Sequence, residues 1–295
     1  MKSEQRVLGI DVGSTNIKSG LVAGGEIADF KSVPINPNGV VSELLEVINN
    51  YEMEPDSIIG VGFPGFINDG KVHSPPNLPS IHELNLQEEL REKTHHPIYL
   101  FNDADAYILG EALYGAGKGC RIVVGFTLGT GIGGGFIVDG EVYTGSRGFA
   151  SEYGHMTIDP NGPLCHCGKK GCLEAFVGSY GVTGRYEILS GEKFTVKEIF
   201  DKAREGEEIA LKVVNEFGFY LAIGIKNIVE ALDPDIVVLG GGVTKAGDII
   251  IKSIESNHSF SSSRPFEDVK IVLGELPDMG GAIGAAHWAK VKHQQ

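Results

Sequence analysis

Three cysteines and a histidine carry the strongest chemical signal in the chain: His155, then Cys165, Cys167 and Cys172. One imidazole and three thiolates fill a tetrahedral zinc shell and leave no position open, which is the donor set of a structural metal. Such binding contributes on the order of 10 kcal/mol to ordering an otherwise irregular segment. Three buried free thiols are the plainer alternative. His166 competes with His155 as the nitrogen ligand, although its two cysteine neighbours strain that geometry. Two acids bracket the cluster, Glu152 shortly before His155 and Glu174 shortly after Cys172. A metal would hold these carboxylates in fixed relation, which suits recognition of a polyol's adjacent hydroxyls; surface acids with no task are the alternative.

A second signal lies in the glycines, 42 of 295 residues, about twice average usage. Asp11-x-Gly13-x-Thr15 and Gly129-Thr130-Gly131 each sit where a hairpin tip is expected. Glycine there lets backbone N–H groups approach a polyphosphate with no Cβ in the way. The candidate nucleotide contacts are Asp11, Gly13, Thr15, Lys18, Gly129, Thr130 and Gly131, with Gly240, Gly241 and Gly242 as a third piece. An acid beside a phosphate loop repels its ligand unless a divalent cation intervenes, so Asp11 is assigned to Mg²⁺ or its waters. Bare hairpin turns are the competing explanation. Gly129-x-Gly131-x-x-Gly134 also matches the dinucleotide fingerprint, but a hairpin follows it where that motif needs a helix.

Asn102-Asp103 falls where a strand gives way to a helix, the edge at which open α/β sheets bind ligands. Asp103 is the candidate base for an attacking hydroxyl, with Asn102 positioning the acceptor. A carboxylate suffices because phosphoryl transfer has a loose transition state in which alignment outweighs basicity. A helix N-cap explains an aspartate here equally well, and Asp105 is the rival for either role.

These residues need an α/β scaffold. Strands are expected at Val7–Ile10, Ile17–Val22 and Glu26–Val33, a helix from Ser42 to Tyr51 with Ser42 as its cap, and a buried strand at Ile58–Phe63. Ile98–Phe101 and a helix over Ala104–Tyr114 complete this half. The opening pattern then returns: Val123–Leu128, Gly135–Val138 and Glu141–Tyr143 as strands, Glu208–Leu232 as a long amphipathic helix and Ile236–Leu239 as a strand. A small-residue helix, Ala282–Lys292, closes the chain. Gly13-Ser14-Thr15 aligns with Gly129-Thr130-Gly131 and Leu21-Val22 with Ile137-Val138, with one residue of slack after the second glycine turn, a weak internal duplication. The boundary near Gly115–Gly119 reads as a hinge.

At about 150 residues per domain, 295 residues suggest two domains. Lys plus Arg total 25 against 39 for Asp plus Glu, a net charge of −14, which disfavours nucleic acid and anionic lipid as partners. No apolar run is long enough to span a bilayer and no signal peptide is apparent. The tight cysteine spacing fits metal ligation in a reducing cytosol, so the expected location is cytoplasmic.

Together, Asp11-Val-Gly-Ser-Thr15, Pro64-Gly65, Asn102-Asp103-Ala-Asp105, Leu128-Gly-Thr-Gly-Ile-Gly133, Glu152-Tyr-Gly-His155, the Cys165/Cys167/Cys172 cluster with Glu174, and Gly240-Gly-Gly242 resemble the ROK family of sugar kinases and sugar-responsive repressors, within the actin-like ATPase superfamily. The resemblance runs over nearly the whole chain. It implies an α/β, two-domain actin-like ATPase (ribonuclease H-like) fold with duplicated βββαβαβα-type halves and a central cleft. The expected domains are residues 1–115, completed by a C-terminal helix at 281–295, and 116–280 with the zinc motif. It further implies ATP with Mg²⁺, a structural Zn²⁺, Asp103 as catalytic base, and sugar contacts from Gly65, Asn77, Asn102, Asp103, Glu152, His155 and Glu174, His155 serving both zinc and substrate. Homodimers are common in the family.

Two positions depart from the family pattern: Ser151 replaces a usual glycine, and Asp105 stands where asparagine is frequent, as in polyphosphate-using glucokinases. Those relatives generally lack the cysteine cluster, which favours ATP as donor. The expected reaction is transfer of the γ-phosphate to the 6-hydroxyl of a hexose, glucose first, then N-acetylmannosamine, fructose, mannose or allose. A non-catalytic sugar sensor competes, though a phosphate loop starting at residue 11 leaves no room ahead for a DNA-binding domain. A general ATPase of actin or chaperone type leaves the metal cluster and its two acids unexplained.

Overall fold

A computed structural model describes residues 6–73, 81, 84–257, 269–276 and 278–295. In chain order its elements begin with β1 (Val7–Val12), β2 (Asn16–Ala23), β3 (Glu26–Pro34), α1 (Val40–Asn49), β4 (Ile59–Phe63), β5 (Phe66–Asn68) and β6 (Lys71–His73). There follow α2 (Leu86–Thr94), β7 (Ile98–Asn102), α3 (Asp103–Tyr114), β8 (Ile122–Leu128), β9 (Ile132–Val138) and β10 (Glu141–Val142). A 3₁₀ turn at Tyr153–His155 leads to α4 (Leu173–Val177), α5 (Ser179–Ser190), α6 (Val196–Arg204) and α7 (Glu208–Leu232). Last come β11 (Ile236–Gly240), a 3₁₀ turn at Gly242–Ala246, α8 (Asp248–Glu255), β12 (Lys270–Leu273) and α9 (Gly280–Gln294). No helix among the described residues is long and apolar enough to cross a membrane.

The two main sheets have the same plan. One runs β3-β2-β1-β4-β7 and the other β10-β9-β8-β11-β12. In each, the first strand of the repeat pairs antiparallel with its hairpin partner and parallel with the strand on its other side. The duplication is therefore real, but its slack lies elsewhere than the sequence suggests. Val12 pairs with Ile17, enclosing Gly13 to Asn16, whereas Leu128 pairs with Ile132, enclosing only Gly129 to Gly131. The extra residue sits in the first turn, where the side chains tolerate it without leaving their face of the sheet.

Contacts divide the chain into two compact units: Met1–Gly119 with Gly140–Ala150 and Asp278–Gln295, and Cys120–Asp139 with Ser151–Pro277. The segment after β9 joins the first unit because the Phe149 ring meets Phe66 edge-on, with centroids 4.9 Å apart. Within that unit β1 is an apolar strand covered on both sides, which is why it reads as a continuous run. Its core gathers Leu8, Ile10, Leu44, Ile48, Phe63 and Leu100. α9 also belongs here and lies directly on the strands. A Cβ at Gly9 would meet the Ala282 carbonyl and one at Gly60 the Ala285 carbonyl, so only glycine permits this approach.

The second unit is built around α7, whose Val213, Phe217, Leu221, Ile225 and Ile228 are buried at helical spacing. Glu207 caps its start and Asp233, in the left-handed conformation at φ 46°, ends it. α1 differs from expectation: Gly39 is its N-cap, and Ser42 lies inside the helix with its hydroxyl donating to the Gly39 carbonyl at 2.7 Å. Several elements gave no sequence signal. α5 holds only Val182 and Tyr186 buried, so it has no apolar stripe to detect, and α2 is strongly polar apart from Leu86 and Leu90.

Candidate functional site

In the first unit, three parallel strands end level with one another. Asp11 on β1 is opposite Gly62 on β4, and Phe63 on β4 is opposite Asn102 on β7. Asn102 is the N-cap of α3, its Oδ1 accepting the Asp105 N–H at 3.0 Å, while its Nδ2 donates to the Gly65 carbonyl at 3.1 Å. One side chain thus fixes the β7–α3 junction to the Pro64-Gly65 turn. Asp103 opens α3, half-buried, its Oδ1 accepting the N–H of Ala104 at 2.9 Å. The capping role that would account for an aspartate here belongs to Asn102. Asp105 is 7% exposed, buried in the helix face, which leaves Asp103 the more accessible of the two.

Asp11 lies close to Asp103. Burial and then the Asp103 charge raise the Asp11 carboxyl from 3.8 to about 7, against the pull of Lys18. Lys18 stands opposite Asp11 across the β1–β2 ladder and forms an ion pair with Asp278 at 3.0 Å. Asp278 is a member of this cluster that sequence reasoning missed; nothing local marks a residue so distant along the chain. At the hairpin tip the Gly13 N–H donates to the Asn16 carbonyl, and Ser14 and Thr15 are exposed. Asn77 lies outside the described residues.

The second unit brings its own candidates to one sheet edge. Gly240 at the end of β11 is opposite Thr127 on β8. Gly241 follows at φ 89°, and a Cβ on it would come within 2.5 Å of the Leu128 carbonyl oxygen. Beyond Leu128, the turn Gly129-Thr130-Gly131 closes by a Gly129 N–H bond to the Gly131 carbonyl, with Thr130 exposed. The Glu174 carboxylate occupies the space next to Gly131; a Cβ there would lie 2.5 Å from Oε2. Oε2 accepts the Ile132 N–H at 3.0 Å. Glu174 is 8% exposed.

Glu152 precedes the 3₁₀ turn that carries His155, and the His155 N–H returns to the Glu152 carbonyl at 3.0 Å. Burial, and then the nearby Glu174, push the Glu152 carboxyl above its ordinary range. Ser151 has φ 66°, a left-handed position that glycine adopts with less strain. The bracketing acids are therefore partly or wholly buried and interact with each other, unlike solvated surface acids.

The donor atoms of His155, Cys165, Cys167 and Cys172 all lie within 4.8 Å of one another. His155 Nδ1 is 3.8 Å from Cys165 Sγ, and Cys167 Sγ is 3.6 Å from Cys172 Sγ. Burial and the neighbouring thiols push Cys172 up to about 12. Three sulfurs and an imidazole nitrogen gathered so closely form a donor set that a metal would complete by displacing the thiol protons, and a Cys₃His set fits zinc. His166 is not among these donors; its ring stacks on Tyr180 at 3.9 Å.

Two units of one repeated α/β plan, each with glycine turns at its sheet edge, define the two-domain actin-like ATPase fold. The ROK family model matches residues 7–292, and the chain belongs to the ROK family. It is 33% identical over 304 residues to the glucokinase of Thermotoga maritima, covering 95% of this chain and 96% of that protein. A ROK family glucokinase from Streptomyces griseus, solved in complex with glucose and AMPPNP, superposes with a TM-score of 0.86 at 26% identity, over 97% of this chain and 99% of that one. The xylose repressor of Bacillus subtilis is 30% identical over 263 residues, 85% of this chain and 68% of the repressor.

Proposed function

We propose that the protein is an ATP-dependent hexose kinase that phosphorylates the 6-hydroxyl of a hexose, with glucose as the first candidate. One observation carries the reading. Asp103 lies at the ligand edge of a parallel sheet with its capping duty taken over by Asn102. In this reading the Asp103 carboxylate accepts the hydroxyl proton as that oxygen bonds to the γ-phosphorus. The bond from phosphorus to the bridging oxygen breaks and ADP leaves. Asn102, Glu152, His155 and Glu174 hold the sugar, with Gly65 and Asn77 assigned to the same task by family resemblance. Gly13, Thr15, Lys18, Gly129, Thr130, Gly131 and Gly240 to Gly242 serve the nucleotide. Asp11 would hold Mg²⁺ or its waters, the cation screening phosphate charge.

His155, Cys165, Cys167 and Cys172 would hold structural zinc, whose contribution is to fix the loop between Glu152 and Glu174. With Nδ1 turned toward the thiols, His155 keeps Nε2 on the opposite ring edge for a sugar hydroxyl. The similarity to a xylose repressor supports a second reading, a sugar sensor without turnover. An assay of sugar-phosphate formation over glucose, N-acetylmannosamine, fructose, mannose and allose, with ATP and polyphosphate as donors, separates them. The expected result is ATP-dependent turnover of glucose that falls on the order of 10²-fold or more in kcat in Asp103→Asn, with binding retained. Sugar binding without turnover on any member supports the sensor, and near-normal kcat in Asp103→Asn moves the base to Asp105.

A further inference from the structure

Tyr180, on the first turn of α5, was not singled out by any sequence pattern. Its hydroxyl donates toward Cys165 Sγ at 3.6 Å and toward Glu174 Oε1 at 3.4 Å. Cys165 Sγ is itself 3.6 Å from the same Glu174 oxygen. The other Glu174 oxygen takes the Ile132 N–H, and the adjacent Ser179 donates both its N–H and its hydroxyl to the Gly129 carbonyl, at 2.9 and 2.7 Å. The His166 ring stacks on Tyr180 and holds it in place. One short segment, Glu174 to Tyr180, therefore touches both the cysteine cluster and the Gly129–Gly131 turn.

Cys165 Sγ and Glu174 Oε1 lie 3.6 Å apart in a buried place, with the Tyr180 hydroxyl beside both. A hydrogen-bond donor outside the ligand set orients a ligating side chain and tunes the metal it holds. The Tyr180 hydroxyl is the side-chain donor that reaches both groups among the described residues.

We propose that Tyr180 is a positioning residue: its hydroxyl bridges the Cys165 thiolate and the Glu174 carboxylate, joining the metal cluster to the acid that braces the Gly129–Gly131 turn. The inference rests on the zinc assignment of the proposed function and does not depend on the kinase activity. Tyr180→Phe keeps the ring and its stacking on His166 and removes only the bridge. Competition against a chromophoric chelator should show zinc held 10- to 100-fold less tightly, the usual loss for a second-sphere partner. In the cobalt(II)-substituted protein the thiolate-to-metal charge-transfer band should move to lower energy, because the sulfur loses a hydrogen bond. If Tyr180→Phe fails to fold, 3-fluorotyrosine incorporation into the natural chain strengthens the same donor and should move the band to higher energy. Unchanged zinc affinity with an unmoved band overturns the proposal, and so does a natural protein that binds neither metal. A protein that binds zinc as described but phosphorylates no hexose removes the kinase reading and leaves this one standing.

Discussion

Asp11 owes its chemistry to its neighbours. Its carboxyl, raised to about 7 by burial and by Asp103, keeps a proton between pH 3.8 and about 7 that the unfolded chain has released. Its effect on stability thus becomes less favourable as pH rises through that window. A cation favours the ionised form, so binding of Mg²⁺·ATP should expel the proton. Calorimetry in buffers of different ionisation enthalpy is expected to show close to one more proton released per nucleotide at pH 6 than at pH 8. In Asp11→Asn only the nucleotide's own titration should remain, and identical proton release by both proteins would remove Asp11 from the cation's surroundings. Ser151 offers a simpler case. A left-handed serine costs roughly 1–2 kcal/mol, and glycine's added chain entropy costs roughly 0.5–1 kcal/mol. Ser151→Gly should therefore stabilise the protein by about 0–1.5 kcal/mol in thermal unfolding, and a lower Tm would contradict the strain argument.

At the scale of elements, the segment from Met156 to Cys172 contrasts with the sheets on which it depends. Among the described residues it forms no strand ladder, only isolated bridges at Thr157–Cys172 and Leu164–Lys170 and scattered loop bonds such as Cys165 N–H to the Lys169 carbonyl, and its buried cluster is small: Cys165 and Cys172 with Ala175 and part of Tyr180. The Gly129–Gly131 turn, by contrast, grows from the continuous β8–β9 ladder. With zinc in the proposed Cys₃His site, chelating it should expose amides of residues 157–172 to hydrogen exchange while those of β8 and β11 stay protected. Sugar affinity should weaken before nucleotide affinity. An untouched sugar Kd in metal-free protein would sever the connection between the cluster and the acids that flank it. Sequence alone placed Cys165, Cys167, Cys172 and His155 in one group because metal ligation is encoded in residue type and close spacing. It did not reveal α4, α5 or Tyr180, because α4 is only five residues long and α5 buries only Val182 and Tyr186, so neither leaves a periodic trace.

Over the whole molecule, the repeated plan was legible because buried strands must be apolar and the turns joining them need glycine, and both marks survive in each half. The long α7 was legible to the residue, since a buried stripe over 25 residues and a terminating Asp233 are local properties. Candidate residues at strand ends followed from the same logic. Tertiary structure alone decided three things. It assigned the cap of α3 to Asn102 and made Asp103 the first residue of the helix, a choice between adjacent polar residues that depends on where their side chains point. It joined Lys18 to Asp278, a pair separated by almost the whole chain. It also brought Cys165, Glu174 and Tyr180 to within 3.6 Å of one another. Periodicity and spacing record what lies along the backbone, whereas these contacts arise only when distant segments pack.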